Sequence, residues 1–254
     1  MGVFHRGYRL LRDEGLAAFM RKIPTYFLLR TRGVPLFLLI YVVRNRFKKL
    51  VASLDRKVNE VVDFAFSFRD NTVSIEPIQR KEEISELLRL IEKNRPRVVL
   101  EIGTAKGGTL FLFCEFSDPK ATVVSVDLPA GYPKWKIPLY QSFAGDEQSI
   151  HLIRSDSHDR RTLEKIRVIL GGRPIDFLFV DGDHTYEGVK QDFMMYGPLV
   201  RNGGLIAFHD IIAGPPELAG EVHRFWEEVK ENFKYIEFVK NRDGHAFGIG
   251  VIYI

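Results

Sequence analysis

The chain is poor in cysteine: one, Cys114, in 254 residues. That excludes an intrachain disulfide and a cysteine-rich zinc site, and it fits a reducing compartment. Cys114 falls in an apolar helical stretch, so a buried, inert thiol is expected. A long uninterrupted apolar run is also missing. The interval Ile23 to Val43 is long enough to span a bilayer, but Arg30 and Arg32 lie inside it. Each would cost roughly 2.5–3.5 kcal/mol at a helix centre. A spanning helix is not expected, nor a signal peptide, because charges continue past the start and no small-residue cleavage site follows. Acids are scarce at the beginning: residues 1–50 hold two, against eleven Lys and Arg. The remainder reverses the balance, with 31 acids against 26 bases.

That basic head suggests an anionic surface as its partner. Tyr8 to Lys22 reads as a helix on Leu11, Leu16, Phe19 and Met20, and Leu36 to Val43 is apolar and followed by Arg44, Arg46, Lys48 and Lys49. Two readings stay open for residues 1–50: an interfacial membrane anchor, or a helical cap on the rest of the chain or on a second copy. Nucleic acid is the weakest partner, because the segment lacks the interleaved aromatics of an RNA-binding arm.

Beyond the head, strands and helices alternate. Gln79 to Lys93 is an amphipathic helix carried by Ile84, Leu87, Leu88 and Ile91. Val98–Ile102, Thr122–Asp127, Ile150–Arg154, Ile175–Asp181 and Leu205–His209 read as strands, with helices over 108–117, 158–170, 185–200 and 216–232 between and after them. Tyr235–Val239 and Phe247–Ile254 read as a closing hairpin. The rhythm predicts a parallel α/β sheet with right-handed crossovers, and such sheets bind ligands at their carboxyl ends.

The polar residues just past each strand are therefore the candidates. Glu101-Ile-Gly103-Thr-Ala-Lys-Gly107-Gly108 is a glycine-rich strand-to-helix turn, but Thr104-Ala105 breaks the G-x-G-x-x-G dinucleotide fingerprint. Asp127 stands at the second strand end, placed to accept two ribose hydroxyls. Asp156 and Ser157 follow the third strand, Asp181-Gly-Asp-His184 the fourth, and His209-Asp210 the fifth.

The E-x-G-x-x-x-G-G turn resembles the first motif of class I S-adenosylmethionine-dependent methyltransferases. Val-Asp181-Gly-Asp-His-Thr-Tyr-Glu-Gly-Val resembles a small-molecule O-methyltransferase branch related to cephalosporin hydroxylase and the macrolide sugar O-methyltransferases. The resemblance covers about residues 80–254. It implies a Rossmann-like seven-stranded sheet with an antiparallel last strand over 76–254, preceded by a helical extension over 1–75. It implies S-adenosylmethionine at Glu101, Gly103, Thr104, Gly107, Gly108, Asp127, Asp156, Ser157 and Asp181, with a small hydroxylated acceptor as substrate. In metal-dependent relatives two ligands follow strand 5 and a third follows strand 4. Matched residue by residue, Mg²⁺ or Mn²⁺ would sit on Asp181, His209 and Asp210. His209 departs from the all-oxygen pattern that Mg²⁺ prefers. The catalytic group is expected among Asp181, His184 and His209, with one histidine as base if no metal binds. The remaining histidines His5, His151, His223 and His245 are read as structural or exposed.

The aromatic stretch 131–140, with Trp135 and Tyr140, reads either as a ligand-covering loop or as an anchored surface loop. No Asn-Pro-Pro-Tyr-type amine-methylating motif follows strand 4. The expectation is a cytoplasmic enzyme, with a peripheral membrane contact or homo-oligomer through the head left open. The alternatives are a tethered, non-catalytic cofactor-binding domain and an NAD(P)-dependent oxidoreductase.

Overall fold

In the computed structural model, the described residues are 36–70, 73–214, 220–240 and 247–254. The helix expected over Tyr8 to Lys22 lies outside them. A seven-stranded sheet runs in the order β3-β2-β1-β4-β5-β7-β6. Its strands are β1 (Val98–Ile102), β2 (Thr122–Asp127), β3 (Ser149–Arg154), β4 (Ile175–Val180), β5 (Val200–His209), β6 (Lys234–Phe238) and β7 (Ile249–Tyr253). The first five are parallel to one another, and β7 is antiparallel to both β5 and β6. The strand order reverses at β1, with β2 on one side and β4 on the other, which opens a crevice at the carboxyl ends there.

Period-two alternation divides the strand side chains between two cores. Val99, Phe177, Phe179, Leu205 and Ala207 face α1 (Leu36–Val51), α2 (Val58–Ser67), α3 (Lys81–Asn94) and α4 (Gly108–Phe116). Leu100, Ile102, Leu178, Val180, Ile206 and Phe208 face the other layer. That layer follows the short α5 (Ile137–Tyr140) and holds α6 (Arg160–Leu170), α7 (Tyr186–Tyr196) and α8 (Val222–Lys230). Cover on both faces explains why β1 and most of β4 are apolar without alternation.

Two boundaries differ from the sequence reading. The fifth strand starts at Val200 rather than Leu205, because Gly197-Pro198 ends the preceding helix early. Between the head and Gln79, α1 ends at Val51 and α2 starts at Val58. The last helix begins at Val222, and 215–219 lie outside the described residues.

Helix α1 runs through its basic residues. Ile40, Val43 and Phe47 recur at helical spacing and are buried in the same core as α4. The Phe47 ring lies 5.5, 5.1, 5.2 and 5.0 Å from those of Phe64, Phe68, Phe111 and Phe143. This part of the extension is thus a cap on the sheet domain, with Arg46, Lys48 and Lys49 exposed on its outer face. Among the described residues, no helix is long and apolar enough to cross a membrane. Cys114 is buried, and burial pushes its thiol well above the usual range.

Candidate active site

Two adjoining cavities of about 500 and 340 Å³ open at the carboxyl ends of the strands. Gly103, Asp127, Gly182 and His184 border both, so they form one two-lobed groove. The turn after β1 is its floor. Gly103 has φ of 99°, and a Cβ there would lie 2.0 Å from the Asp181 carbonyl oxygen, so glycine alone permits the approach of the two strand ends.

The turn is braced from beneath. Glu101 is fully buried and accepts hydrogen bonds of 2.5 Å from both Thr109 and Ser125. Ser125 in turn lies 2.6 Å from Thr104 Oγ1. Burial pushes the Glu101 carboxyl up to about 8, against the pull of these two hydroxyls. Glu101 and Thr104, expected to touch a cofactor, instead point their side chains into the core and act on the turn's shape. Gly107 and Gly108 are also buried, with the Tyr140 ring packed on Gly107 and the Tyr140 hydroxyl donating to the Ala105 carbonyl at 3.1 Å. The aromatic stretch 131–140 is thus a short helical buttress, with Tyr132 and Tyr140 buried, rather than an open loop.

Asp127 lies between the lobes. Its Oδ2 accepts the Thr104 and Ala105 N–H groups at 3.1 and 2.8 Å, tying the second strand end to the turn. In the smaller lobe, Asp156, Ser157 and His158 line the wall with Leu128 and Asp183. Asp156 Oδ1 accepts the His158 N–H at 2.8 Å, and His158 Nε2 lies 3.3 Å from buried Asp192. Burial holds the Asp192 carboxyl up at about 6. From the sequence, His158 reads with Asp159 as a helix start, and Asp192 carries no signal.

The larger lobe gathers the ionisable groups. His209 is buried, and its Nδ1 lies 3.0 Å from Asp181 Oδ1 and 3.2 Å from Asp210 Oδ1. Burial works against charge on this ring, but Asp181 and Asp210 prevail and hold it up at about 9. Gln79 Nε2 donates to Asp181 Oδ2 at 2.6 Å. His184 lies across the lobe, half-exposed, with Nδ1 2.7 Å from Asp210 Oδ2. That hydrogen bond, outweighing burial, raises the His184 ring above the usual histidine value.

The geometry brings a second candidate metal set together. One ligand atom from each of Asp181, His184 and Asp210 lies within 4.8 Å of the others. His209, expected as the third ligand, has its Nδ1 turned to both carboxylates. The two carboxylates and one imidazole suit a borderline divalent ion such as Mn²⁺. The donors fit such an ion, provided that Nδ1 of His184 gives up its bond to Asp210.

Three more lining residues had no sequence signal. Ile78 and Arg80 come from the segment before α3, and Phe247 from the entry to β7. The Arg80 guanidinium lies 5.2 Å from the centre of the Phe247 ring.

Residues 100–211, the stretch from the end of β1 to just past Asp210, match the Methyltransf_24 family, described as a methyltransferase domain. That stretch, 112 of the 254 residues, is similar to a methyltransferase domain. Within it lie the glycine turn, Asp127 and the Asp181, His184, His209 and Asp210 group. An uncharacterised protein of Acanthamoeba polyphaga mimivirus is 32% identical over 113 residues, which are 44% of this chain and 50% of that protein. The chain thus spans about half the length of this relative. Among solved structures, the O-methyltransferase of Bacillus cereus in complex with S-adenosylhomocysteine aligns with a TM-score of 0.54 at 16% identity, over 84% of this chain and 97% of that one. MycE methyltransferase of mycinamycin biosynthesis, in complex with Mg, S-adenosylhomocysteine and mycinamycin VI, aligns with a TM-score of 0.50 at 18% identity, over 77% and 54%. These likenesses of fold cover more of the chain than residues 100–211.

Proposed function

We propose that the chain is an S-adenosylmethionine-dependent O-methyltransferase acting on a small hydroxylated acceptor of the sugar, glycolipid or natural-product kind. The observation that carries this reading is the two-lobed groove, with Asp127 at its waist and the carboxylate–histidine group in the larger lobe. Asp127, Asp156 and Ser157 would hold the adenosine, and the bare backbone at Gly103 leaves room for the methionine part beside Asp181. When bound, S-adenosylmethionine supplies an electrophilic methyl group on a sulfonium.

The chain's own task is to orient an acceptor hydroxyl and take its proton. With Nδ1–H donating to Asp210, His184 is held with Nε2 free to accept a proton, and the carboxylate stabilises the charge that follows. His209 contributes differently. Its buried ring sits with Nδ1 within 3.2 Å of both Asp181 and Asp210 and so fixes the two carboxylates. If a divalent ion occupies Asp181, Asp210 and His184, it lowers the pKa of a bound hydroxyl, and His184 is then a ligand rather than the base. Both forms use the same three side chains.

A non-catalytic, tethered role for the domain is disfavoured by the Asp210-tuned histidine in a cavity of ligand size. NAD(P) chemistry is disfavoured by the broken dinucleotide fingerprint. The exposed bases of α1, together with the bases of residues 1–35, support an anionic surface as partner of the head.

Methyl-labelled S-adenosylmethionine incubated with the protein and a panel of hydroxylated acceptors, with amine-only analogues alongside, tests the reading. Label on oxygen in any hydroxylated acceptor, lost in His184→Gln, is the expected outcome. Label only on amines would overturn it.

A further inference from the structure

We propose that Arg80 determines specificity at the acceptor end of the larger lobe, and that the methyl acceptor carries an oxyanion, a carboxylate or a phosphate, beside its hydroxyl. The inference rests on the O-methyltransferase reading above.

Arg80 lines the lobe with Ile78 and Phe247, and none of these three borders the smaller lobe that holds Asp156 and Ser157. The guanidinium has no carboxylate or hydrogen-bond partner among the described residues, and its only contact of note is the Phe247 ring. The acids of the same lobe do not satisfy it, because they are already engaged. Asp181 receives Gln79 on Oδ2 and His209 on Oδ1. Asp210 receives His184 on Oδ2 and faces His209 with Oδ1. Asp127 Oδ2 is taken by two backbone N–H groups.

Arg80 is also held in place. Phe247 has φ of 104°, a left-handed conformation that a phenylalanine adopts only when its surroundings impose it. Buried Glu83 anchors the backbone next to it, accepting the Lys240 N–H on Oε1 at 3.0 Å and the Gly248 N–H on Oε2 at 2.9 Å. Glu83 is in the first turn of α3, whose N-cap is Arg80 itself. One helix end therefore fixes both the ring and the guanidinium stacked on it. A planar guanidinium presents paired N–H groups that match a carboxylate or a phosphate.

S-adenosylmethionine has a carboxylate of its own, and the test separates it from the acceptor. Wild type, Arg80→Gln and Arg80→Lys are first titrated calorimetrically with S-adenosylhomocysteine. Each loaded protein is then titrated with glucuronate, glucose 6-phosphate and glucose. At least one anionic sugar is expected to bind wild type tenfold or more tighter than glucose. Arg80→Gln should erase that preference, and Arg80→Lys should keep part of it, with S-adenosylhomocysteine affinity within twofold throughout. The stronger of the two anionic probes identifies the oxyanion.

Equal binding of anionic and neutral sugars, or no binding of either anion to loaded wild type, would overturn the inference. So would a tenfold loss of S-adenosylhomocysteine affinity in Arg80→Gln with the anion preference intact, which assigns Arg80 to the cofactor. A wild type that binds no S-adenosylhomocysteine at all sinks the underlying reading instead.

Discussion

His184 Nδ1 stands 2.7 Å from Asp210 Oδ2, and this pair joins the half-exposed side of the larger lobe to its buried side. The hydrogen bond fixes the ring's orientation and leaves Nε2 as its free acceptor. Replacing His184 by Gln should therefore lower kcat by a hundredfold or more, within the range for loss of a general base. S-adenosylhomocysteine affinity should stay within twofold. Asp210→Asn should lower kcat too, and shift the pH–rate profile of the remaining activity to lower pH. Steady-state kinetics over pH, with calorimetry for the affinity, checks both. A His184→Gln enzyme of normal kcat would remove the base.

Asp127 anchors the turn and faces both lobes. Asp127→Ala should weaken S-adenosylmethionine binding by about 3 kcal/mol, roughly a hundredfold in Kd, through lost charged hydrogen bonds. Asp127→Asn should lose less, because the amide oxygen still accepts the Thr104 and Ala105 N–H groups. Equal losses in the two variants would mean that those backbone bonds are not part of the effect.

If an ion binds in the larger lobe, Asp210→Asn should abolish Mn²⁺ binding and His209→Asn should weaken it only modestly. The second change removes a clamp, the first a ligand. Dialysis against chelator followed by Mn²⁺ titration of the three proteins gives the answer. Equal loss in both variants would restore His209 to the ligand set.

Glu101 predicts a pH-dependent stability. Its folded value, about 8, lies above the ordinary 4.5 because of burial. The fold then keeps a proton that the unfolded chain gives up. The stabilisation is complete below about 4.5 and is lost as pH rises from there through about 8. Glu101→Gln cannot titrate, so its thermal midpoint should fall less than wild type's between about pH 5 and 8. Calorimetric scans across that window compare the slopes, and parallel slopes would contradict the account.

Phe47 tests the cap. It packs on four aromatic rings and is 1% exposed. Phe47→Ala should cost about 3–5 kcal/mol. A change under about 1 kcal/mol in denaturant unfolding would mean that α1 is not part of the folded unit.

Much of this site was legible because a parallel sheet exports its strand ends to one rim. The acid after each apolar run therefore marked the rim in advance, and Asp127, Asp156, Asp181 and Asp210 all line the groove. Chain adjacency misled at His209 and Asp210. Both follow β5, are buried and line the larger lobe, but Asp210 takes a φ of 60° and bonds His184, while the His209 ring turns its Nδ1 to Asp181 and Asp210. Glu101 looked like a contact because it ends a strand, yet two hydroxyls from neighbouring elements hold it in the core. Arg80 and Phe247 had no signal, since only the Glu83 clamp on the closing hairpin brings them together.

The most direct test of the whole account is a calorimetric titration of the purified chain with S-adenosylmethionine, repeated on Asp127→Ala. The account predicts micromolar binding in wild type and a loss of about a hundredfold in the variant. A folded wild type that does not bind S-adenosylmethionine, or a variant that binds as well as wild type, would contradict it.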